Sequence, residues 1–121
     1  MKRIYLACPY TDKDPHVVDS RVYAADIIAG VLMEKGCCVF SPLSHSHPIA
    51  AKMKRDNFDH NFWLNQDLPF LVWADIMVVL GLTGWRESKG ISREIVEARA
   101  LGKPVRLIKE TDVYRLLGAA L

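Results

Sequence analysis

The feature that most constrains this chain is an alternation of short apolar, β-branched runs with longer stretches of helical periodicity. Ile4-Tyr5-Leu6-Ala7-Cys8 is stopped by Pro9, and Val39-Phe40 is stopped by Pro42. Ala74 to Leu80 contains Ile76-Met77-Val78-Val79-Leu80, and Pro104-Val105-Arg106-Leu107-Ile108 follows a Gly-Lys-Pro turn. Continuous apolar runs of this length read as strands covered on both faces, which is the signature of a parallel sheet. Between the first two runs, Val18, Val22, Ala25, Ala29 and Leu32 recur at spacings of four and three, so they share one helix face. Asp14 is placed to cap that helix with Pro15 at its first position, and Gly36 to close it. Ile91, Ile95 and Ala98 mark a second helix ended by Gly102, and Val113 to Leu117 a short last one. Right-handed crossovers then give a doubly wound, flavodoxin-like three-layer α/β sandwich, with a parallel sheet of four to five strands.

The 121 residues fit one domain spanning residues 1–121, long enough to bury roughly two-thirds of the surface of the unfolded chain. Sixteen basic and fourteen acidic residues leave a formal charge of +2, and the basic residues do not gather beyond Lys52, Lys54 and Arg55. No nucleic-acid partner is expected. The stretch Leu68 to Ala74 is far below the roughly 20 apolar residues of a membrane span, and Pro69 interrupts it. The first residues lack the apolar segment of a secretion signal, and Cys8, Cys37 and Cys38 form neither a paired framework nor a metal-binding spacing. These features place the protein in the cytoplasm, with its thiols reduced.

In a doubly wound sheet, ligands sit beyond the carboxyl ends of the strands. The site is therefore expected from Pro9 to Asp14, from Pro42 onward, and from Gly81 to Gly90. Ser41 to Asn57 reads as a long irregular loop, followed from about Phe58 by a helical piece that Pro69 either breaks or restarts. The most specific segment runs from Gly84 to Glu94 and joins a strand to a helix N-terminus. Free N–H groups there favour an anion or polar ligand, Gly90 permits close approach, and Ser88 offers a hydroxyl. Glu94 borders the buried stripe and can lean toward the cleft. Spacing alone favours Ser88 as a helix cap and Glu94 paired with a surface arginine such as Arg93 or Arg99.

The opening Ile4-Tyr5-Leu6-Ala7-Cys8-Pro9, then Asn65-Gln66-Asp67-Leu68, Ala74-Asp75-Ile76, Trp85-x-x-Ser88-x-Gly90-x-x-x-Glu94 and Gly102-Lys103-Pro104-Val105 resemble the nucleoside 2-deoxyribosyltransferase superfamily. That superfamily includes deoxynucleoside 5′-monophosphate N-glycosidases and small bacterial families of unassigned activity, to which the Gly84-Trp85 pair is the best match. The resemblance implies that Glu94 attacks the anomeric carbon and that Asp67 protonates the departing base, the division of labour of retaining glycoside chemistry. It further implies that Tyr5 contacts the sugar or the nucleophile, that Ser88 meets the 5′ end, and that the protein forms a homo-oligomer. A small-molecule nucleoside or nucleotide would be the ligand, and no cofactor is required.

Other residues carry simpler alternatives. Asp67, with Leu68-Pro69 after it, also reads as a helix N-cap. Tyr5 is an aromatic inside a strand, a normal core position. Asp75 has the plainer role of a strand-start carboxylate and is only a secondary substrate-binding candidate. Pro9 and Tyr10 follow the first strand, and His47 is placed to line the cleft. His45, His47 and His60 lack a carboxylate or cysteine at ligand spacing, so no metal is expected. Of Trp63, Trp73 and Trp85, the last is singled out for base stacking because its loop borders the site. The first loop is not the Gly-rich turn that a phosphate or dinucleotide needs, which disfavours flavodoxin and Rossmann chemistry. Leu117 to Leu121 lacks the polar residues that the transferases this sequence resembles lend to a neighbouring active site, a departure that favours hydrolysis over transfer. The alternative of a different class is a non-catalytic nucleotide-binding or regulatory module, marked by a Glu94 that faces solvent.

Overall fold

A computed structural model describes residues 1–54 and 59–120. Four parallel strands form one sheet in the order β2-β1-β3-β4, with β1 at Arg3–Ala7, β2 at Cys38–Phe40, β3 at Ile76–Gly81 and β4 at Val105–Lys109. Five helices accompany them: α1 (Pro15–Glu34), α2 (Pro42–Ala50), α3 (His60–Trp73), α4 (Lys89–Ala100) and α5 (Glu110–Ala120). The flavodoxin-like α/β expectation holds, with four strands among the described residues. Two-residue alternation sends Ile4, Leu6, Val78 and Leu80 into a core beneath α1 and α5, and Tyr5, Ala7, Met77 and Val79 into a second core beneath α3 and α4. β1 from Ile4 onward and β3 are thus covered on both faces, which is why their sequences are apolar without interruption, whereas β4 at the sheet edge carries the exposed Arg106 and Leu107.

Asp14 caps α1 by accepting from the His16 N–H at 2.9 Å, and Gly36 closes the helix at φ +93. Gly102, at φ +71, follows α4. The buried face of α1 comprises Arg21, Ala24, Ala25, Ile28 and Ala29, with Val22 and Leu32 at its margin. The last helix is longer than Val113 to Leu117, although Val113 is its buried anchor.

The segment from Ser41 is the main departure from the sequence reading. It forms α2, with Ser41 accepting from the Ser44 N–H at 3.3 Å and Pro42 in the first turn. Those are ordinary helix-start signals, obscured by the Ser- and His-rich composition that follows. Phe58 and Asn57 lie outside the described residues. Pro69 neither ends a helix nor begins one: it sits inside a continuous α3. Proline removes the hydrogen bond to the carbonyl four residues back. Here Asn65 and Pro69 are both exposed, so water reaches that carbonyl. Lys103 Nζ completes the far end of α3, donating to the carbonyls of Val72 at 2.9 Å and Ala74 at 2.6 Å.

Candidate active site

Strand order reverses between β1 and β3, the crevice where a doubly wound sheet opens for ligands. A cavity of about 490 Å³ lies there, walled by Ala7 to Asp12 after β1, by Glu87 to Ile91 at the start of α4, and by α2 and α3. Glu94, Asp67, Pro9, Tyr10, Ser88 and Gly90 all line it. Sequence separation gave no reason for Asp67 and Glu94 to meet. They do so because α3 and α4 cover the same face of the sheet.

Glu94 stands one turn into α4, beside the buried Ile91. Its Oε2 accepts a hydrogen bond from the Tyr5 hydroxyl, which rises from the middle of β1. The Tyr5 side chain is fully buried, so its hydroxyl has no recourse to water and serves Glu94. Burial pushes the Glu94 carboxyl up to about 7, the Tyr5 bond pulls it down, and the charge of Asp67 raises it again. Asp67 is likewise pushed up to about 7 by burial. Burial thus holds both carboxyls near neutrality, and the charge of Asp67 makes Glu94 harder still to ionise. Tyr5 is raised far above its ordinary range by burial and then by the Glu94 and Asp67 charges, so it remains a neutral donor. The surface pairing of Glu94 with Arg93 is not made, since Arg93 binds Glu97 at 3.1 Å.

Asp67 is not an N-cap. It lies within α3, whose cap is Asp59 accepting from the Asn61 N–H at 2.9 Å. Ser88 is a cap, accepting from the Ile91 N–H at 3.2 Å, and its hydroxyl hydrogen remains available to the cavity it lines. The capping and binding readings of Ser88 therefore coexist. Cys8 also lines the cavity, but burial pushes its thiol up to about 12, so it is no competing nucleophile at neutral pH.

Three candidates fall elsewhere. Asp75 lies at the amino end of β3, the opposite end from the cavity, where it pairs with Arg3 at 2.9 Å and is held down to about 2 by those bonds. It anchors two strand starts. Trp85 packs against the second core and under Arg86, and borders a smaller depression with Leu107 and Lys109 rather than the main cavity. Trp63, from α3, is the tryptophan that lines the cavity. His47 does not line it either: its Nδ1 is 2.8 Å from the Tyr10 hydroxyl, so it steadies a residue that does. Among the described residues, no group of three or more His, Cys, Asp or Glu is arranged to hold a metal, and no helix is long and apolar enough to cross a membrane.

Sequence reasoning missed Arg21, which lines the cavity from the buried face of α1. The signal was present, because position 21 falls three residues after Val18 and four before Ala25 on the apolar stripe. A charge in that place asks for buried partners.

Fold and site together define a doubly wound α/β protein with a pair of half-buried carboxyls at its topological switch point. The chain belongs to the family described as a domain of unknown function, DUF1937, whose model matches residues 2–110. No curated protein matches it. Among solved structures it is similar to a 2-deoxyribosyltransferase from the psychrotolerant bacterium Bacillus psychrosaccharolyticus, at 26% identity and a TM-score of 0.60. The match covers 87% of this chain and 70% of that one, and it supports the superfamily to which the sequence motifs point.

Proposed function

We propose that this protein cleaves the N-glycosidic bond of a nucleoside or nucleotide, with Glu94 as nucleophile and Asp67 as general acid and base. The observation that carries the reading is the Glu94 carboxyl, fixed by Tyr5 in the cavity wall and electrostatically coupled to Asp67. In the productive state the proton resides on Asp67 and Glu94 is ionised. The Glu94 carboxylate attacks the anomeric carbon as the carbon–nitrogen bond breaks, and the bond's electron pair leaves with the base. Asp67 gives its proton to that base. Water then attacks the glycosyl ester, loses its proton to Asp67, and frees Glu94. The Tyr5 hydroxyl holds the nucleophile in one orientation throughout.

The similarity to a 2-deoxyribosyltransferase supports nucleoside chemistry in general. Water is the acceptor in this reading, and a 2-deoxyribosyl substrate is its first expectation. The α4 N-terminus, with Ser88 and Gly90, suits a 5′-hydroxyl or 5′-phosphate. Trp63 and Leu64 supply an apolar wall for the base.

The test is chromatographic detection of free base after incubation with ribo- and deoxyribonucleosides and their 5′-monophosphates. Base released by the wild type and absent with Glu94→Ala supports the assignment. Base released equally by the variant refutes the nucleophile. Silence across the panel, with ligands still raising the melting temperature, replaces the enzyme with a binding module.

A further inference from the structure

Arg21 is an arginine where an apolar residue belongs. Its neighbours on the buried face of α1 are Ala24, Ala25 and Ile28, and its own side chain is only 9% exposed. Nη1 donates to the carbonyls of Thr11 at 3.1 Å and Tyr10 at 3.4 Å, and Nη2 donates to the carbonyl of Thr83 at 2.8 Å. Its carboxylate neighbour, Asp12, stands 4.0 Å from Nη2. The first two carbonyls belong to the loop leaving β1, and the third to the loop leaving β3. Those strands are neighbours, yet their loops diverge toward α1 and α4. Among the described residues, no backbone hydrogen bond joins the two loops.

We propose that Arg21 is a positioning residue: a planar fork that ties the β1 loop to the β3 loop and so fixes the cavity walls carrying Pro9, Tyr10 and Ser88. Burying a guanidinium is unfavourable unless its donors are met, and the carbonyls of two separate loops meet them here. Only arginine presents several donors in a rigid plane able to reach both loops at once. The β3 loop is fitted closely to the fork. Gly84 has φ +94, and a Cβ there would lie 2.7 Å from Nη2. The clamp's consequence for turnover rests on the proposed function of the cavity, whereas its structural test needs no substrate.

Chymotrypsin cleaves after aromatic residues, and each clamped loop contains one, at Tyr10-Thr11 and Trp85-Arg86. We compare the wild type with Arg21→Met and Arg21→Lys under conditions where all three keep the same far-ultraviolet circular dichroism. In both variants the two loop bonds are expected to be cut about tenfold faster, the change in open population given by about 1.4 kcal/mol of local stability. Cleavage after Tyr114, in α5, should stay at the wild-type rate. Unchanged cleavage, acceleration in one loop only, or acceleration at Tyr114 as well would overturn the clamp. So would full protection by Arg21→Lys, because one ammonium cannot span both loops. With a substrate in hand, kcat/KM should fall equally for a nucleoside and its 5′-monophosphate. A loss confined to the monophosphate would make Arg21 an anion-binding residue instead. An inactive wild type bears on the proposed function alone, since the cleavage pattern is read without turnover.

Discussion

Replacing Glu94 by Gln should make the protein more stable at alkaline pH. The Glu94 carboxyl moves from 4.5 to about 7 on folding, so the folded state prefers it protonated. A raised carboxyl contributes fully below the unfolded value and loses its contribution as pH rises through the folded one. The window therefore runs from about 4.5 to about 7. Well above it, linkage puts the cost of the ionised group at about 3 kcal/mol. Glu94 keeps partial exposure and shares its environment with Asp67, so we discount this to about 1–2 kcal/mol. Gln keeps the shape and can still accept from the Tyr5 hydroxyl, but carries no charge. For a domain of this size, that gain corresponds to a rise of roughly 4–8 °C in Tm. Thermal melts of both proteins at pH 8.5 and pH 4.5 decide the matter. Glu94→Gln should melt higher at pH 8.5 and within a degree or two of the wild type at pH 4.5, as the linkage requires. No gain at pH 8.5, or the same gain at both values, would refute the buried-charge argument.

Tyr5→Phe removes the donor that stabilises the ionised form of Glu94, so the Glu94 pKa should rise further, by about one unit for roughly 1.4 kcal/mol of lost bonding. Carboxyl-carbon NMR titration reads this directly, and an unchanged or lowered value would contradict the assigned bond. Ser88→Ala removes the α4 cap and should lower stability by about 1 kcal/mol in urea denaturation, with Ser88→Gly costing only a few tenths. No loss from Ser88→Ala would show that the hydroxyl's capping bond is not what stabilises the helix.

The fold was legible because strand burial and helix boundaries leave local signatures. β1 and β3 are short apolar runs, and Asp14, Pro15, Gly36 and Gly102 mark helix ends by their own backbone preferences. α2 was lost for the opposite reason. Its start signals, Ser41 and Pro42, lead into serines and histidines with low helix preference, and Pro48 lies within it. What holds that segment is tertiary: Leu43 is buried in the core beneath α1. α3 hid its face because Phe62, Trp63, Leu64, Phe70, Leu71 and Val72 surround the helix, leaving no apolar stripe to follow.

The candidate site divides along the same line. Local spacing put Ser88 at a helix N-terminus and Glu94 one turn in, but left Glu94 free to face the surface, and it was the resemblance that turned it toward the cleft. Asp75 and Trp85 were misplaced by proximity in sequence. Asp75 opens a strand that ends at the cavity, and a strand's two ends lie on opposite sides of the sheet. Trp85 belongs to a loop bordering the cavity, but its ring turns into the core beneath α4. Arg21 was invisible to motif reasoning for a related reason: its partners are backbone carbonyls, which every residue possesses and no sequence pattern records. The Tyr5–Glu94 bond, between residues 89 positions apart, was reachable only through the resemblance, which implied that Tyr5 contacts the sugar or the nucleophile. A buried tyrosine and a half-buried glutamate are each unremarkable alone. Only the crossing of β1 beneath α4 turns them into a donor and an oriented carboxylate, so the geometry of this cavity is a property of strand order before it is a property of any motif.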